Sequence, residues 1–142
     1  MRNLIRVVLL TAFGIGSTLV VEVGGASAAD NIVCFPQAIE PYKTDHNSIA
    51  PITFGFKVHC TGRPTLRSVT TKLWRYDPSD GKHYIHSERN DTSTEPDLET
   101  LYSASCSNAG ILYRFHTEVV VNAFHGNWDR GEDDSTTIAA IC

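Results

Sequence analysis

Residues 52–60 read ITFGFKVHC, and their apolar side chains recur at every second position. A period of two is that of a β-strand with one face buried and the other in water. Cys60 falls on the apolar face, where a structural disulfide is expected. No helical period of 3.6 residues follows residue 30, so this stretch predicts an all-β domain.

The same alternation predicts about seven short strands. They cover residues 32–35, 52–60, 66–76, 83–86, 98–106, 111–124 and 135–142. Turn-forming residues separate them, as in Asp77-Pro78-Ser79-Asp80-Gly81. Residues 87–97 and 126–134 are predicted to be loops, and Pro36 is expected to end the first strand. This pattern is typical of an antiparallel β-sandwich.

An immunoglobulin-like architecture is expected for the sandwich. Cys60 and Trp74 lie 14 residues apart, which resembles the strand B cysteine and strand C tryptophan of immunoglobulin domains. Ala104 stands where the tyrosine corner of that family has its tyrosine. The resemblance therefore implies two packed antiparallel sheets, and it concerns architecture rather than family membership.

The first 28 residues are predicted to be a secretory signal peptide. Arg2 and Arg6 are followed by a mostly apolar stretch, and Ala26-Ser27-Ala28 is a cleavage site of the A-x-A type. Residues 29–142 are expected to form one mature domain in the extracellular space. After cleavage no attachment to a membrane is expected.

All four cysteines lie in the predicted mature domain. An even number of cysteines in a small exported domain predicts a disulfide framework. Of the three possible pairings we favour Cys34–Cys60 with Cys106–Cys142, because it joins each end of the domain to its body. The competing pairing joins Cys60 to Cys106 across two sheets, as in immunoglobulin domains.

The charge balance bears on the partners. The chain has 12 Lys and Arg against 16 Asp and Glu, a net charge of −4. Nucleic acids and anionic membranes both favour clustered Lys and Arg, so neither is expected to bind. Residues 29–142 contain no H-E-x-x-H, G-x-S-x-G or P-loop motif, and no cofactor is expected.

The best catalytic candidates alternate along residues 111–124. Arg114, His116 and Glu118 would lie about 6–7 Å apart on one face of a strand. Glu and His are suited to act as base and acid, and Arg to bind a phosphate group. The set resembles that of small secreted microbial ribonucleases. The competing interpretation is a solvated sheet face with cross-strand ion pairs.

No metal site is assigned. His83 and His86 are three residues apart, so a strand would point them to opposite faces. Residues 127–134 read NWDRGEDD and are rich in carboxylates, which leaves calcium open there. Gly131 is one position early for an EF-hand loop, and a solvated turn is the favoured interpretation.

Three aromatic residues are predicted to form a binding surface: Trp74, Tyr76 and Trp128. Lys72, Trp74 and Tyr76 are expected to share an outward sheet face, and exposed aromatics can grip a protein or a sugar. Trp128 either folds back onto the sheet or stands out as an anchor. The string Trp74-Arg75-Tyr76 is similar to the triplet that tendamistat-type α-amylase inhibitors insert into their target. That resemblance implies a secreted two-disulfide β-sandwich that inhibits an enzyme.

The sequence therefore predicts a secreted, non-catalytic binding protein, either a recognition module or an enzyme inhibitor. Its expected partner is a secreted protein or a polysaccharide. A short, disulfide-stapled chain without a catalytic motif favours this function over the alternative, a small secreted hydrolase that uses Arg114, His116 and Glu118. In general character the chain also resembles small secreted bacterial β-sandwich proteins.

Overall fold

The computed structural model describes residues 31–142, so the predicted signal peptide lies outside the described residues. The strands in chain order are β1 (Cys34–Tyr42), β2 (Ile52–Cys60), β3 (Leu66–Asp77), β4 (Lys82–Asp91), β5 (Asp97–Ala104), β6 (Leu112–His125), β7 (Asn127–Asp134) and β8 (Ile138–Ile141). Within these residues no helix is long and apolar enough to cross a membrane.

The strands form two antiparallel sheets. The first has the order β1-β2-β5 and the second β4-β3-β6-β7, while β8 pairs with the first part of β6. The predicted all-β sandwich with two disulfides is confirmed, with eight strands in place of about seven.

Inward side chains of β2, β3 and β6 supply most of the core between the sheets. The members with 0% exposure on these strands include Ile52, Phe54, Phe56, Val69, Leu73, Phe115, Val119, Val121 and Ala123. Each large apolar side chain buried in this way contributes roughly 1.5–3 kcal/mol. Alternation along β6 therefore points Arg114, His116 and Glu118 away from the core, as predicted.

The favoured disulfide pairing is confirmed. Cys34–Cys60 joins residues that are already paired across β1 and β2. Cys106–Cys142 joins the chain that follows β5 to the chain that follows β8, and so links the two sheets. No cysteine of the described residues is free, and the pairing of Cys60 with Cys106 does not form.

The prediction of a loop at residues 126–134 is wrong, because residues 127–134 form β7. The inward side chains of β7 are polar, so the apolar alternation that marks a strand is missing. Three of them accept hydrogen bonds from backbone N–H groups along the edge of the other sheet. The pairs are Ile32 N to Asn127 Oδ1, Cys34 N to Asp129 Oδ2 and Ala38 N to Asp133 Oδ2, each with an N–O distance of 2.7 Å.

The prediction that Pro36 ends the first strand is also wrong. Its nitrogen lies in the row that faces β7, between Cys34 and Ala38, so proline removes no hydrogen bond to β2. Opposite stands Gly131, where a Cβ atom would lie 2.7 Å from Cδ of Pro36. Pro36, which has no N–H to offer, thus meets Gly131, the inward position of β7 that has no side-chain acceptor.

Strand β4 is longer than predicted, since it covers 82–91 and reduces the predicted loop at 87–97 to residues 92–96. Its side chains are largely exposed and polar, so only pairing with β3 reveals it. The register shifts between Leu73 and Trp74, which leaves His86 as an extra residue in β4. The imidazole of His86 turns inward and packs edge-on against Phe115, with ring centroids 5.4 Å apart.

The inward position of His86 predicts a pH-dependent stability. Burial lowers the pKa of His86 and outweighs the bond that Nε2 donates to the carbonyl oxygen of Ser105, at 2.9 Å. The unfolded chain therefore takes up this proton at a higher pH than the folded chain. The stability that His86 contributes is present above about pH 6.5, the usual histidine pKa, and is lost as the pH falls through the lowered folded pKa.

We expect the urea midpoint to fall between about pH 7.5 and pH 5, and to fall less in His86→Gln, because the glutamine amide titrates no proton. His46, an exposed loop residue, provides the control, and His46→Gln should keep the wild-type pH profile. A His86→Gln profile as steep as that of the wild type would contradict the assignment.

Candidate functional site

The two predicted site residue sets lie on one surface, the outer face of the second sheet. Strands β3 and β6 pair so that Lys72 and two of the predicted aromatics, Trp74 and Tyr76, are each opposite a member of the Arg–His–Glu set. The cross-strand pairs are Lys72 with Glu118, Trp74 with His116, and Tyr76 with Arg114. The sequence treats the aromatic set and the Arg–His–Glu set as rival sites, and strand register makes them neighbours.

Glu118 connects the two sets. Its Oε1 accepts a hydrogen bond from Lys72 Nζ at 3.1 Å, and its Oε2 accepts one from Trp74 Nε1 at 2.7 Å. The Lys72 ammonium also lies 5.7 Å from the indole centroid, within cation–π range. Both carboxylate oxygens are thus engaged, and Glu118 holds the indole of Trp74 in one orientation.

A row of neighbouring aromatic rings continues from Trp74. The indole lies nearly parallel to the imidazole of His116, with centroids 6.4 Å apart and an interplanar angle of 12°. His116 meets His83 edge-on at 6.1 Å, and His83 lies 5.1 Å from Tyr76. We call the whole surface the Trp74 face, and its members are Lys72, Trp74, Tyr76, His83, Ile85, Arg114, His116 and Glu118.

A depression of about 390 Å³ opens in the Trp74 face. Its lining residues are Tyr76, His83, Arg114, His116 and Thr137. Every one of these side chains carries a hydrogen-bond donor, and none is a carboxylate. The depression is therefore lined by side chains that can all donate a hydrogen bond, and Arg114 adds a permanent positive charge.

Two of these lining residues are absent from the predicted site. His83 is opposite Tyr76 in the β3–β4 hairpin. Counting the register outward from the predicted turn at 77–81 would have found it. Thr137 comes from the segment before β8, and no signal in the sequence points to its position beside β6.

Trp128 lies apart from the other two predicted binding aromatics. It is opposite Phe124 in the β6–β7 hairpin, with ring centroids 5.1 Å apart, and is 69% exposed. Phe124 lies eight positions after His116 on β6, a distance of about 26 Å along the strand. The predicted aromatic set is therefore split between two ends of one sheet face.

The triplet Trp74-Arg75-Tyr76 does not present its three side chains together. It lies within β3, where alternation sends the middle residue to the opposite face. The guanidinium of Arg75 lies 4.6 Å from the ring centroid of Tyr113 and 4.0 Å from a carboxylate oxygen of Asp77. Trp74 and Tyr76 remain on the outward face without it.

Comparison with family models, with curated proteins and with solved structures gives no similar sequence or fold. The geometry of the Trp74 face is therefore the basis on which a function is inferred.

The outer face of the first sheet offers a different environment. A depression of about 550 Å³ there is lined in part by Phe35 and His59. Its basic side chains face carboxylates across the strands: His59 Nδ1 lies 2.5 Å from an oxygen of Asp97, and Lys57 Nζ lies 3.2 Å from Glu99. Such exposed pairs contribute about 0–1 kcal/mol each. This surface is a solvated sheet face whose basic and acidic side chains are paired with each other.

Metal ligands do not gather in the part of the chain that the structure describes. Residues 31–142 contain no group of three or more His, Cys, Asp or Glu side chains that could hold an ion. In β7 the carboxylates alternate between two faces, and Asp129 and Asp133 are used by the edge of β1. His83 points outward and His86 inward, as predicted.

Proposed function

We propose that this protein is a secreted, non-catalytic binding protein whose Trp74 face holds an extracellular ligand, as a recognition module or an enzyme inhibitor. The observation that carries the proposal is the hydrogen bond from Trp74 Nε1 to Glu118 Oε2, at 2.7 Å. It fixes a partly buried indole before any ligand arrives. Anchors that are ordered in advance lose less entropy on binding.

The scaffold supports the same proposal. Trp74 and Tyr76 lie on β3, which has a strand on either side, and aromatic anchors on a rigid support are typical of binding hot spots. The two disulfides support secretion, because such bonds persist in oxidising compartments. The immunoglobulin-like description of the sandwich belongs to this proposal as well.

A small secreted hydrolase is the second candidate, and the depression beside Arg114 and His116 is the observation in its favour. Glu118 is poorly placed to act as a base, because Lys72 and Trp74 engage both of its oxygens. The reaction would then depend on His83 or His116. Nuclease and esterase assays on the wild type and on His116→Ala test this candidate directly.

Affinity capture tests the binding function. Residues 29–142, immobilised with both disulfides intact, are exposed to a panel of secreted proteins and polysaccharides. We expect a ligand that the wild type retains and the variant Trp74→Ala/Tyr76→Ala loses, because the variant removes both anchors and leaves the strand pairing in place.

The matched control removes two exposed apolar side chains from the far end of the same sheet face, as Leu66→Ala/Trp128→Ala. It should retain the ligand. A ligand that the Trp74 variant retains, or that only the control loses, would contradict the proposal.

A further inference from the structure

We propose that the depression between Tyr76, His83, Arg114 and His116 binds an oxyanion, the phosphate or sulfate group of an extracellular ligand. The inference rests on the proposed function, since it names the chemistry that the Trp74 face recognises. It goes beyond that function by assigning a charged group to a defined part of the face.

Every side chain that lines the depression can donate a hydrogen bond. Arg114 has five guanidinium N–H groups, His83 and His116 have ring nitrogens, and Tyr76 and Thr137 have hydroxyls. Hydrogen bonds from charged nitrogen donors to phosphate oxygens are about twice as strong as neutral ones. The volume of about 390 Å³ is also ample for such a group beside its water.

Among the described residues, Arg114 has no carboxylate partner, whereas three other arginines do. Arg63, Arg75 and Arg130 each lie within 4.0 Å of a carboxylate oxygen. Among residues 31–142 no carboxylate oxygen lies that close to Arg114. Within this range Arg67 and Arg89 have no such carboxylate either, but Arg67 is buried and donates to the carbonyl oxygen of Glu95, and Arg89 donates to that of Glu88. Arg114 thus adds a positive charge without a paired carboxylate to the Trp74 face, in a chain of net charge −4.

The fold keeps its own acid away from this arginine. Glu118 is the acidic residue that follows Arg114 on the same face of β6. Lys72 and Trp74 draw its carboxylate to the neighbouring strand, 3.1 and 2.7 Å from their nitrogens. The positive charge of Arg114 is therefore left for a group from outside the protein.

The donors converge from several strands. Tyr76, His83 and Arg114 come from β3, β4 and β6, and form one cross-strand row. Thr137 lies beside His116, because Ile138 is the partner of Phe115. Next to this row stand the rings of His116 and Trp74 and the side chain of Ile85, which is 48% exposed. If the oxyanion is an ester on a ring, the oxyanion would contact the row of donors, and the ring would contact the side chains of His116, Trp74 and Ile85.

Titration calorimetry at constant ionic strength tests the site with three probes: inorganic phosphate, glucose 6-phosphate and glucose. We expect both phosphates, but not glucose alone, to bind the folded domain. Arg114→Gln should weaken phosphate binding by about tenfold or more, because a charge-assisted hydrogen bond is worth at least that factor. Arg130→Gln, which alters an arginine of the same sheet face that is already paired with Glu132, should bind as the wild type does.

The outcomes separate the possible sources of the oxyanion. Glucose 6-phosphate that binds more tightly than phosphate, with the surplus lost in Trp74→Ala, indicates an ester on a ring, and equal affinities indicate a free oxyanion. Phosphate binding that is absent, or equally reduced in both arginine variants, overturns the proposal. Arg114→Lys keeps the charge and should retain part of the affinity, which separates loss of the site from misfolding.

Failure of this titration would leave the proposed function standing if capture still depended on Trp74. Failure of capture would leave an oxyanion site without a binding role for the aromatic rings. The two experiments therefore report on separate claims.

Discussion

Gly55→Ala is expected to lower the free energy of unfolding by about 3 kcal/mol. Gly55 lies in the middle of β2, where a Cβ atom would be 2.1 Å from the carbonyl oxygen of Thr100 and 3.0 Å from Cα of Leu101. Both are backbone atoms of β5, so no side-chain rotation relieves the clash. Because β5 pairs only with β2, relief requires the edge strand to move away from its single neighbour.

Chemical denaturation measures this effect, and Gly62→Ala is the matched control. A Cβ atom at Gly62 meets nothing within 4 Å, and that substitution should change stability by less than about 1 kcal/mol. Equal losses in the two variants would contradict the close approach of β2 and β5.

The second large effect is expected from the disulfide that links the sheets. The variant Cys106→Ala/Cys142→Ala should lose about 4 kcal/mol of unfolding free energy, since the bond closes a loop across a sequence separation of 36. That is a large share of the 5–15 kcal/mol typical of a domain. After its removal, Lys43 still holds the C-terminus, through a hydrogen bond from Nζ to Ile141 O at 2.7 Å.

The other disulfide provides the comparison, because Cys34→Ala/Cys60→Ala opens a loop of similar size. Hydrogen exchange distinguishes the two. Loss of Cys106–Cys142 should speed exchange in β8, and loss of Cys34–Cys60 should leave β8 protected, because it removes a bond within one sheet. Unchanged exchange in β8 after loss of Cys106–Cys142, or a cost below about 1 kcal/mol, would contradict this account.

Much of the fold is visible in the sequence where one face of a strand meets the core. Strands β2 and β6 bury every second side chain among apolar neighbours. Apolar residues therefore alternate with polar ones in the sequence, and this alternation predicts both strands. The position of Cys60 on the apolar face of β2 and the favoured disulfide pairing agree with the structure for the same reason.

Strands β1 and β7, at the edges of their sheets, are not predicted correctly from apolar alternation. The inward positions of β7 hold Asn127, Asp129 and Asp133 because their side chains accept hydrogen bonds from the backbone of β1 and of the residues just before it, where other strands have apolar core residues. Likewise, Pro36 is tolerated within β1 because Gly131 stands opposite, about 95 residues along the chain. Neither fact can be read from a local pattern.

The sequence predicts the two sets of site residues separately, and the pairing of β3 with β6 brings them together. Alternation along β3 and along β6 is enough to place each set of side chains outward. What local patterns do not show is that Trp74 is opposite His116, since this pairing joins strands distant in sequence. The same register separates Trp128 from Trp74, which the sequence groups together.

The most direct test of the binding face uses the two tryptophans of the chain as internal probes. Each gives one indole N–H signal in a ¹H–¹⁵N spectrum, and the ligand recovered by capture is added to the folded domain. The account predicts that the Trp74 signal shifts, because its indole lies in the binding face, and that the Trp128 signal stays in place. A spectrum in which only Trp128 responds, or in which neither indole responds to a bound ligand, would contradict the claim that the Trp74 face carries the function.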